Sequence, residues 1–347
     1  MINLYGLSIP KLEQLMLIEG QKKYRAIQLY TWIYEKKATS FDEMSDISIK
    51  FREVLKEKYC LILPTIDKIQ RSSDGTIKLL LKLSDGHKVE TVLMRYKYGN
   101  AACVSSQVGC NMGCSFCASG LLGKQRNLTP EEMVGQILVL NNVLKEEGQG
   151  QRVTHIVVMG TGEPFDNYDN VMDFIRIVNA QKGLAIGARH ITVSTCGLID
   201  GIRKYALEGL QTNLAISLHA PNDEIRLKLM KVAKIYSVHD IIEAVKEYEA
   251  TTNRRVTYEY LLLDGINDTK ECAEELINLI KGTMGYVNLI PYNETSLCSY
   301  KRSSGNRIHA FLDYLTKGGV NATIRKEFGS DIDAACGQLR AKAEKNG

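Results

Sequence analysis

No apolar run in the 347 residues approaches the ~20 that a bilayer-spanning helix needs. Met1 to Pro10 has neither the basic start nor the apolar core of a signal peptide. Both absences point to a chain that stays in the cytoplasm and off the membrane. No repeat unit, low-complexity segment or Gly/Ser linker interrupts the sequence, and its length suits one large domain with an appendage. Charge of one sign is also scarce. The net charge of +4 is only a weak lean toward a polyanionic partner, and local groups such as Lys22, Lys23 and Arg25, or Lys124 and Arg126, read first as solvated surface. What is present, 44% hydrophobic and 24% charged residues, is ordinary for a globular protein. Nine cysteines in such a chain are free thiols, metal ligands or redox residues before they are structural disulfides.

A further absence gives the cysteines their meaning. Cys110-Asn-Met-Gly-Cys114-Ser-Phe-Cys117 lets a tight turn bring three sulfurs to one side, yet no fourth ligand follows. A structural zinc or a fully protein-ligated iron–sulfur cluster wants four ligands, and the next cysteine, Cys196, lies far along the chain without a CxxC partner. An open position at a metal is where chemistry is done. The bland alternative is three buried or zinc-binding thiols. CxxxCxxC with Phe116 just before the third cysteine resembles the signature of the radical S-adenosylmethionine (SAM) superfamily. That resemblance implies a [4Fe-4S] cluster held through three irons by Cys110, Cys114 and Cys117, with SAM on the fourth.

The rest of the chain divides into three stretches. Residues 1–62 read as a helical accessory unit, with Leu12, Leu15, Met16, Tyr24, Ile27, Leu29, Trp32 and Ile33 at three- and four-residue spacings. Gly20 separates the first helix from the second, and Ser40 to Glu43 form a capping-box pattern ahead of a third. Residues 63–99 carry a β-hairpin pattern, with Ser-Asp-Gly turns at Gly75 and Gly86. From 100 to 347 apolar β-branched runs alternate with helical patterns. The runs fall at 101–104, 155–159, 190–194, 214–217, 256–263 and 286–291, with a shorter one at 321–325. The clearest helix starts at Thr129-Pro-Glu-Glu132, where Pro130 fits the first helical position. The fold class is α/β: a partial (β/α)6 barrel with a small amino-terminal helical domain and a β-hairpin extension.

In such barrels functional residues sit on the loops after the strands. Those loops carry the three cysteines, then Gly160-Thr-Gly162-Glu163-Pro164, Ser194-Thr-Cys-Gly197, Ser217-Leu218-His219 and Asn293, so one rim gathers them. Gly160 and Gly162 allow close backbone approach, Glu163 suits the amino group of an amino-acid moiety, and Ser194, Ser217 and Asn293 are neutral hydrogen-bonding groups. Taken alone, His219 would read as a structural histidine. Near the end, Cys336 sits between small residues in Ala-Ala-Cys336-Gly-Gln, and Cys103 stands seven positions before Cys110. A carboxy-terminal loop folded over the barrel mouth would bring these two together; otherwise they are ordinary buried cysteines.

Cys103-Val-Ser-Ser-Gln-Val-Gly-Cys110, Gly-Thr-Gly-Glu-Pro-Phe-Asp-Asn-Tyr-Asp-Asn170, Ile-Ser-Leu-His-Ala-Pro-Asn-Asp223, Asn-Leu-Ile-Pro291 and Asp-Ile-Asp-Ala-Ala-Cys336-Gly-Gln-Leu339 together resemble the RlmN branch of the RlmN/Cfr radical SAM RNA methyltransferases. The similarity covers essentially the whole chain. It implies methylation of carbon 2 of adenine 2503 in 23S rRNA and of adenine 37 in certain tRNAs, with two SAM molecules per turnover. In the implied route Cys336 carries the methyl group and is joined to the base, Glu90 accepts the C2 proton, and Cys103 resolves the adduct as a transient disulfide. An external electron donor and a thiol reductant are needed, and the enzyme is expected to act as a monomer. Gly162, Glu163, Ser194, Ser217, Leu218, His219 and Asn293 match SAM-contacting positions. From the residues alone, Glu90 reads as an exposed strand glutamate and Cys196 as a spare thiol. Lys231 departs from the relatives, which usually carry proline there. The nearest alternative is a Cfr-type enzyme acting on carbon 8; the remote one is a non-enzymatic zinc-containing nucleic-acid-binding protein.

Overall fold

The computed structural model describes residues 1–121, 123–148, 151–295 and 298–332. Ten strands make one sheet: β1 (Thr65–Arg71), β2 (Ile77–Lys82), β3 (Lys88–Tyr96), β4 (Gly99–Cys103), β5 (Val153–Val158), β6 (Ile191–Thr195), β7 (Asn213–Ser217), β8 (Thr257–Leu262), β9 (Tyr286–Pro291) and β10 (Ala322–Ile324). They lie side by side in chain order. The first four form an antiparallel meander, and every neighbouring pair from β4 to β10 is parallel. The parallel part is the expected partial barrel, extended by the short β10.

Parity along the strands separates two faces. Val193, Leu214, Ile216, Tyr258, Tyr260, Val287 and Leu289 are fully buried in the main core. They pack with apolar residues of the crossover helices Pro130–Glu146, Tyr168–Asn179, Val238–Thr252, Lys270–Ile280 and Gly305–Lys317. The alternate positions, Ser194, Ser217, Glu259, Leu261 and Ile290, line an internal cavity instead. Both hairpin turns use glycine in the left-handed region, Gly75 at φ +84° and Gly86 at φ +89°, each preceded by an aspartate that accepts the N–H two residues on.

The amino-terminal helices Ile9–Ile18, Tyr24–Tyr30 and Ile49–Lys58 share the barrel's core. Leu12, Met16, Leu29 and Leu55 are fully buried in it, each burial contributing about 1.5–3 kcal/mol. Tyr30 Oη donates to the Ile177 carbonyl at 2.9 Å, and Lys11 pairs with Asp173. The Ser40 box closes differently from the sequence expectation. Glu43 accepts the Ser40 N–H at 2.8 Å, but the turn it closes is only the single 3-10 turn Phe41–Glu43. Met44 then leaves the helical region at ψ +72°, and Met44 and Ile47 turn into the core. The third helix begins at Ile49 behind its own cap, Ser48.

Candidate active site

The cysteine loop leaves β4 and is pinned at both shoulders. Ser105 exchanges two bonds with the Gln136 amide, 2.9 and 3.0 Å, and its hydroxyl donates to the Glu90 carbonyl at 2.7 Å. A two-residue ladder, Gln107–Val108 against Arg126–Asn127, closes the base of the loop. Farther out, the Ser115 N–H donates to the Leu229 carbonyl at 2.9 Å. Lys231 lays its side chain over Gly113: a Cβ there would stand 2.8 Å from its Cδ.

Cys110, Cys114 and Cys117 all line one cavity of about 410 Å³. Burial pushes the Cys110 thiol up to about 12 and the Cys114 thiol further, with the neighbouring thiols adding to each. Thiols become thiolates when a metal centre supplies the positive charge. Three thiols of one loop facing one cavity leave a fourth position open, and that donor set fits a thiolate-held cluster with an open side.

Around that open side stand most of the rim residues. Glu163 is 3% exposed; one oxygen accepts the Phe165 N–H at 3.1 Å and the other the Cys196 N–H at 2.8 Å. Burial raises its pKa, against the lowering effect of those hydrogen bonds. Ser194 and Ser217 hydroxyls lie 3.3 Å apart. His219 sits at φ +58°, a strained setting for a non-glycine, with Nδ1 accepting the Leu261 N–H at 3.1 Å. Its ring meets Phe116 edge-on at 5.1 Å. Burial lowers its pKa to about 3, so the ring is neutral. Nδ1 is an acceptor, which leaves the proton on Nε2. Gly162 and Asn293 complete the rim.

Three expectations fare differently. Leu218 does not line the cavity; its side chain is in the outer core, its N–H donates to the Glu259 carbonyl and its carbonyl accepts from Arg226. The close approach at Gly160 and Gly162 is made by the chain itself. A Cβ at Gly160 would lie 2.7 Å from Ser105 N, and one at Gly162 2.7 Å from the Gln107 Cβ. Glu90 is buried rather than exposed, paired with Lys78 at 2.9 Å, because β2 supplies a cation on the same face.

Cys103 lies opposite Val92 in the β3–β4 register and lines the same cavity as the three-cysteine loop. After β10 the chain crosses toward the hairpin. Phe328 meets Tyr96 edge-on at 4.7 Å, the Gly329 N–H donates to Asp74 at 2.9 Å, and Asp331 accepts from the Ser73 N–H at 3.0 Å and from the Ser72 hydroxyl. Cys336 lies outside the described residues. Sequence reasoning missed Glu259, a buried cavity-lining carboxylate held by the Asn288 amide at 2.9 Å, although its parity with Leu261 was available. It also missed Arg226, which shares a helix face with Leu229.

A partial barrel whose rim carries three cysteines and a buried glutamate defines a radical SAM protein, and residues 104–280 match the radical SAM superfamily. Residues 2–61 match the ribosomal RNA large subunit methyltransferase N-terminal domain. The crystal structure of a radical SAM methyltransferase from Sphaerobacter thermophilus is similar, with a TM-score of 0.91 at 43% identity, covering 97% of this chain and 99% of that one. Two curated relatives carry the name probable dual-specificity RNA methyltransferase RlmN. The one from Streptococcus equi subsp. zooepidemicus (strain H70) is 51% identical over 347 residues, 99% of this chain and 96% of its own. The one from Enterococcus faecalis (strain ATCC 700802 / V583) is 51% identical over 346 residues, 99% and 97%. The chain belongs to the RlmN family.

Proposed function

We propose that this radical SAM RNA methyltransferase adds its methyl group to C2 of adenine 2503 in 23S rRNA and to C2 of adenine 37 in tRNAs, through Cys336 and Cys103. The observation that carries the reading is the position of Cys103 on the wall of the cavity that the three-cysteine loop also lines. A [4Fe-4S] cluster on Cys110, Cys114 and Cys117, with SAM bound, would supply one-electron cleavage chemistry and the methyl group. Glu163 would hold the SAM ammonium, with Gly162, Ser194, Ser217, His219 and Asn293 around the remainder, and Leu218 contributing through its main chain at most.

An aromatic C2–H carbon is a poor nucleophile, so direct polar transfer from SAM does not reach it; covalent catalysis divides the task. Cys336 would carry the methyl group received from one SAM; its S-methyl carbon would lose a hydrogen atom to the cleavage chemistry that a second SAM supplies and join C2, the adduct giving up one electron. Glu90 accepts the C2 proton. The Cys103 sulfur then attacks the Cys336 sulfur: an S–S bond forms, the carbon–sulfur bond breaks, and its electron pair stays with the departing carbon, which takes up a proton as a methyl group. An external thiol reduces the disulfide, and an external donor supplies the electron. The strap from β10 to the hairpin turn supports this pairing, since Asp331 is five positions before Cys336 in sequence.

Residues 1–62 act in this reading as the RNA-binding accessory unit, 63–99 as the hairpin extension and 100–347 as the catalytic barrel, in a cytoplasmic monomer. Among the described residues no helix is long and apolar enough to cross a membrane. Mass spectrometry of 23S rRNA from cells with and without the protein tests the reading. A methyl on C2 that depends on the protein is expected; a methyl on C8, or none, overturns it.

A further inference from the structure

Helix Asp223–Leu229, in the crossover after β7, carries a guanidinium in unusual surroundings. Arg226 has no exposed surface. Its fork donates only to main-chain carbonyls: Nη2 to Cys196 at 2.6 Å, Nε to Leu218 at 3.3 Å and Nη1 to Tyr236 at 3.4 Å. Among the described residues no carboxylate forms an ion pair with it. Asp223, one turn back, accepts the Val238 N–H instead. Carbonyl dipoles satisfy the protons but leave a whole positive charge in a dry interior, a cost that proteins rarely leave uncompensated.

The same helix is fastened to the cysteine loop. Besides the Ser115 N–H bond to Leu229, the Ser115 hydroxyl reaches the Lys228 and Leu229 carbonyls at 3.2 Å. Cys196, which accepts the shortest Arg226 bond, packs in one apolar cluster with Cys114 and Phe116. Cys196 and Cys114 also line the same cavity. A dicationic iron–sulfide core held by three thiolates carries one net negative charge, and one more after it accepts an electron.

We infer that Arg226 is the built-in counter-cation of the cluster, offsetting its negative charge and holding its reduction potential up. The inference rests on the reading that Cys110, Cys114 and Cys117 hold that cluster. The reduced form, carrying more negative charge, gains more from a buried cation than the oxidised form does. Cluster and cation are in this respect mutually stabilising: each relieves the burial cost of the other.

The test uses the full chain reconstituted anaerobically, as wild type, Arg226→Lys and Arg226→Gln, with iron content, an EPR-monitored redox titration, and melting temperatures with and without iron. Arg226→Gln should shift the one-electron equilibrium at least tenfold toward the oxidised form, a fall of about 59 mV. Cluster loading should raise its melting temperature less than that of wild type. Arg226→Lys keeps the charge and loses the fork, so its potential should stay near wild type. If Arg226 only braces three carbonyls, both variants lose stability alike and neither potential moves, which overturns the inference. Should Arg226→Gln fail to assemble a cluster, the neutral Arg226→Met takes its place: a potential at least tenfold lower than wild type supports the inference, and an unmoved one overturns it. A wild-type protein that binds no iron at the three cysteines overturns the underlying reading instead.

Discussion

Lys78 Nζ and a Glu90 carboxylate oxygen lie 2.9 Å apart, at 0% and 3% side-chain exposure. The two residues stand on neighbouring antiparallel strands, Lys78 opposite Val92 and Glu90 opposite Leu80, so they meet diagonally across one face. Removing one partner leaves a buried charge. Lys78→Ala or Glu90→Ala should therefore cost about 3–5 kcal/mol of stability, while the apolar double replacement Lys78→Met/Glu90→Leu recovers most of it. Denaturant unfolding of the three variants measures this. Two costly single variants and an equally costly double would show that the charges are not what holds this layer together. The proton-accepting role of Glu90 is accordingly better tested with the isosteric Glu90→Gln than with alanine.

Cys103→Ala should leave the enzyme attached to its RNA, whereas Cys336→Ala should not. In the proposed route the methylene on Cys336 is joined to the base before Cys103 acts, so losing Cys103 would strand the thioether and losing Cys336 would remove the carrier. Denaturing gels with and without nuclease reveal the adduct. An adduct that persists in the double variant contradicts the assigned roles.

Gly162→Ala places a Cβ 2.7 Å from both the Ser106 hydroxyl and the Gln107 Cβ, at φ +116°. Strain and overlap together should cost about 2–4 kcal/mol. Because Gly162 immediately precedes Glu163, SAM affinity should fall about tenfold as well, which corresponds to ~1.4 kcal/mol. Calorimetry of unfolding and of SAM binding reads the two effects separately; unchanged SAM affinity would detach Glu163 from the ligand.

His219 should make the protein less stable in mild acid. Its folded-state pKa of about 3 lies below the ~6.5 of an unfolded histidine. The unfolded chain binds the proton first, so this contribution is complete above pH 6.5 and is lost as pH falls toward 3. Between pH 6.5 and 5.5 the loss is on the order of 1 kcal/mol. His219→Asn keeps an acceptor near the Leu261 N–H and tolerates the positive φ, but it does not titrate there. The variant's stability curve should lack that loss; parallel curves for the two proteins would show that the ring is not held neutral.

Much of the architecture was readable because parallel strands are buried on both sides and so appear as continuous apolar runs. The rim was readable for a related reason: Glu163, Ser194, Ser217, His219 and Asn293 each follow such a run. β1 escaped because it is an edge strand whose residues are nearly all exposed, leaving no periodicity to detect. Glu90 was misjudged because its pairing with Lys78 depends on a register between strands, which neither segment carries alone. Leu218 was placed among SAM contacts by its neighbours Ser217 and His219, and its side chain is buried in the main core. At Gly160 and Gly162 the need for a missing side chain was legible, but not which neighbour fills the space.

The link between Asp331 and Ser73 spans 258 positions, and that between Gly329 and Asp74 spans 255. At a synthesis rate of ~5–20 residues per second, the hairpin turn waits roughly ten to fifty seconds for its partner to be made. Throughout that interval the growing chain can build its sheet in order, each new strand against the last. It cannot close the strap. The strap thus requires the chain through Asp331: one that stops short of Gly329 keeps its cysteine loop and rim but lacks the ties to Asp74 and Ser73.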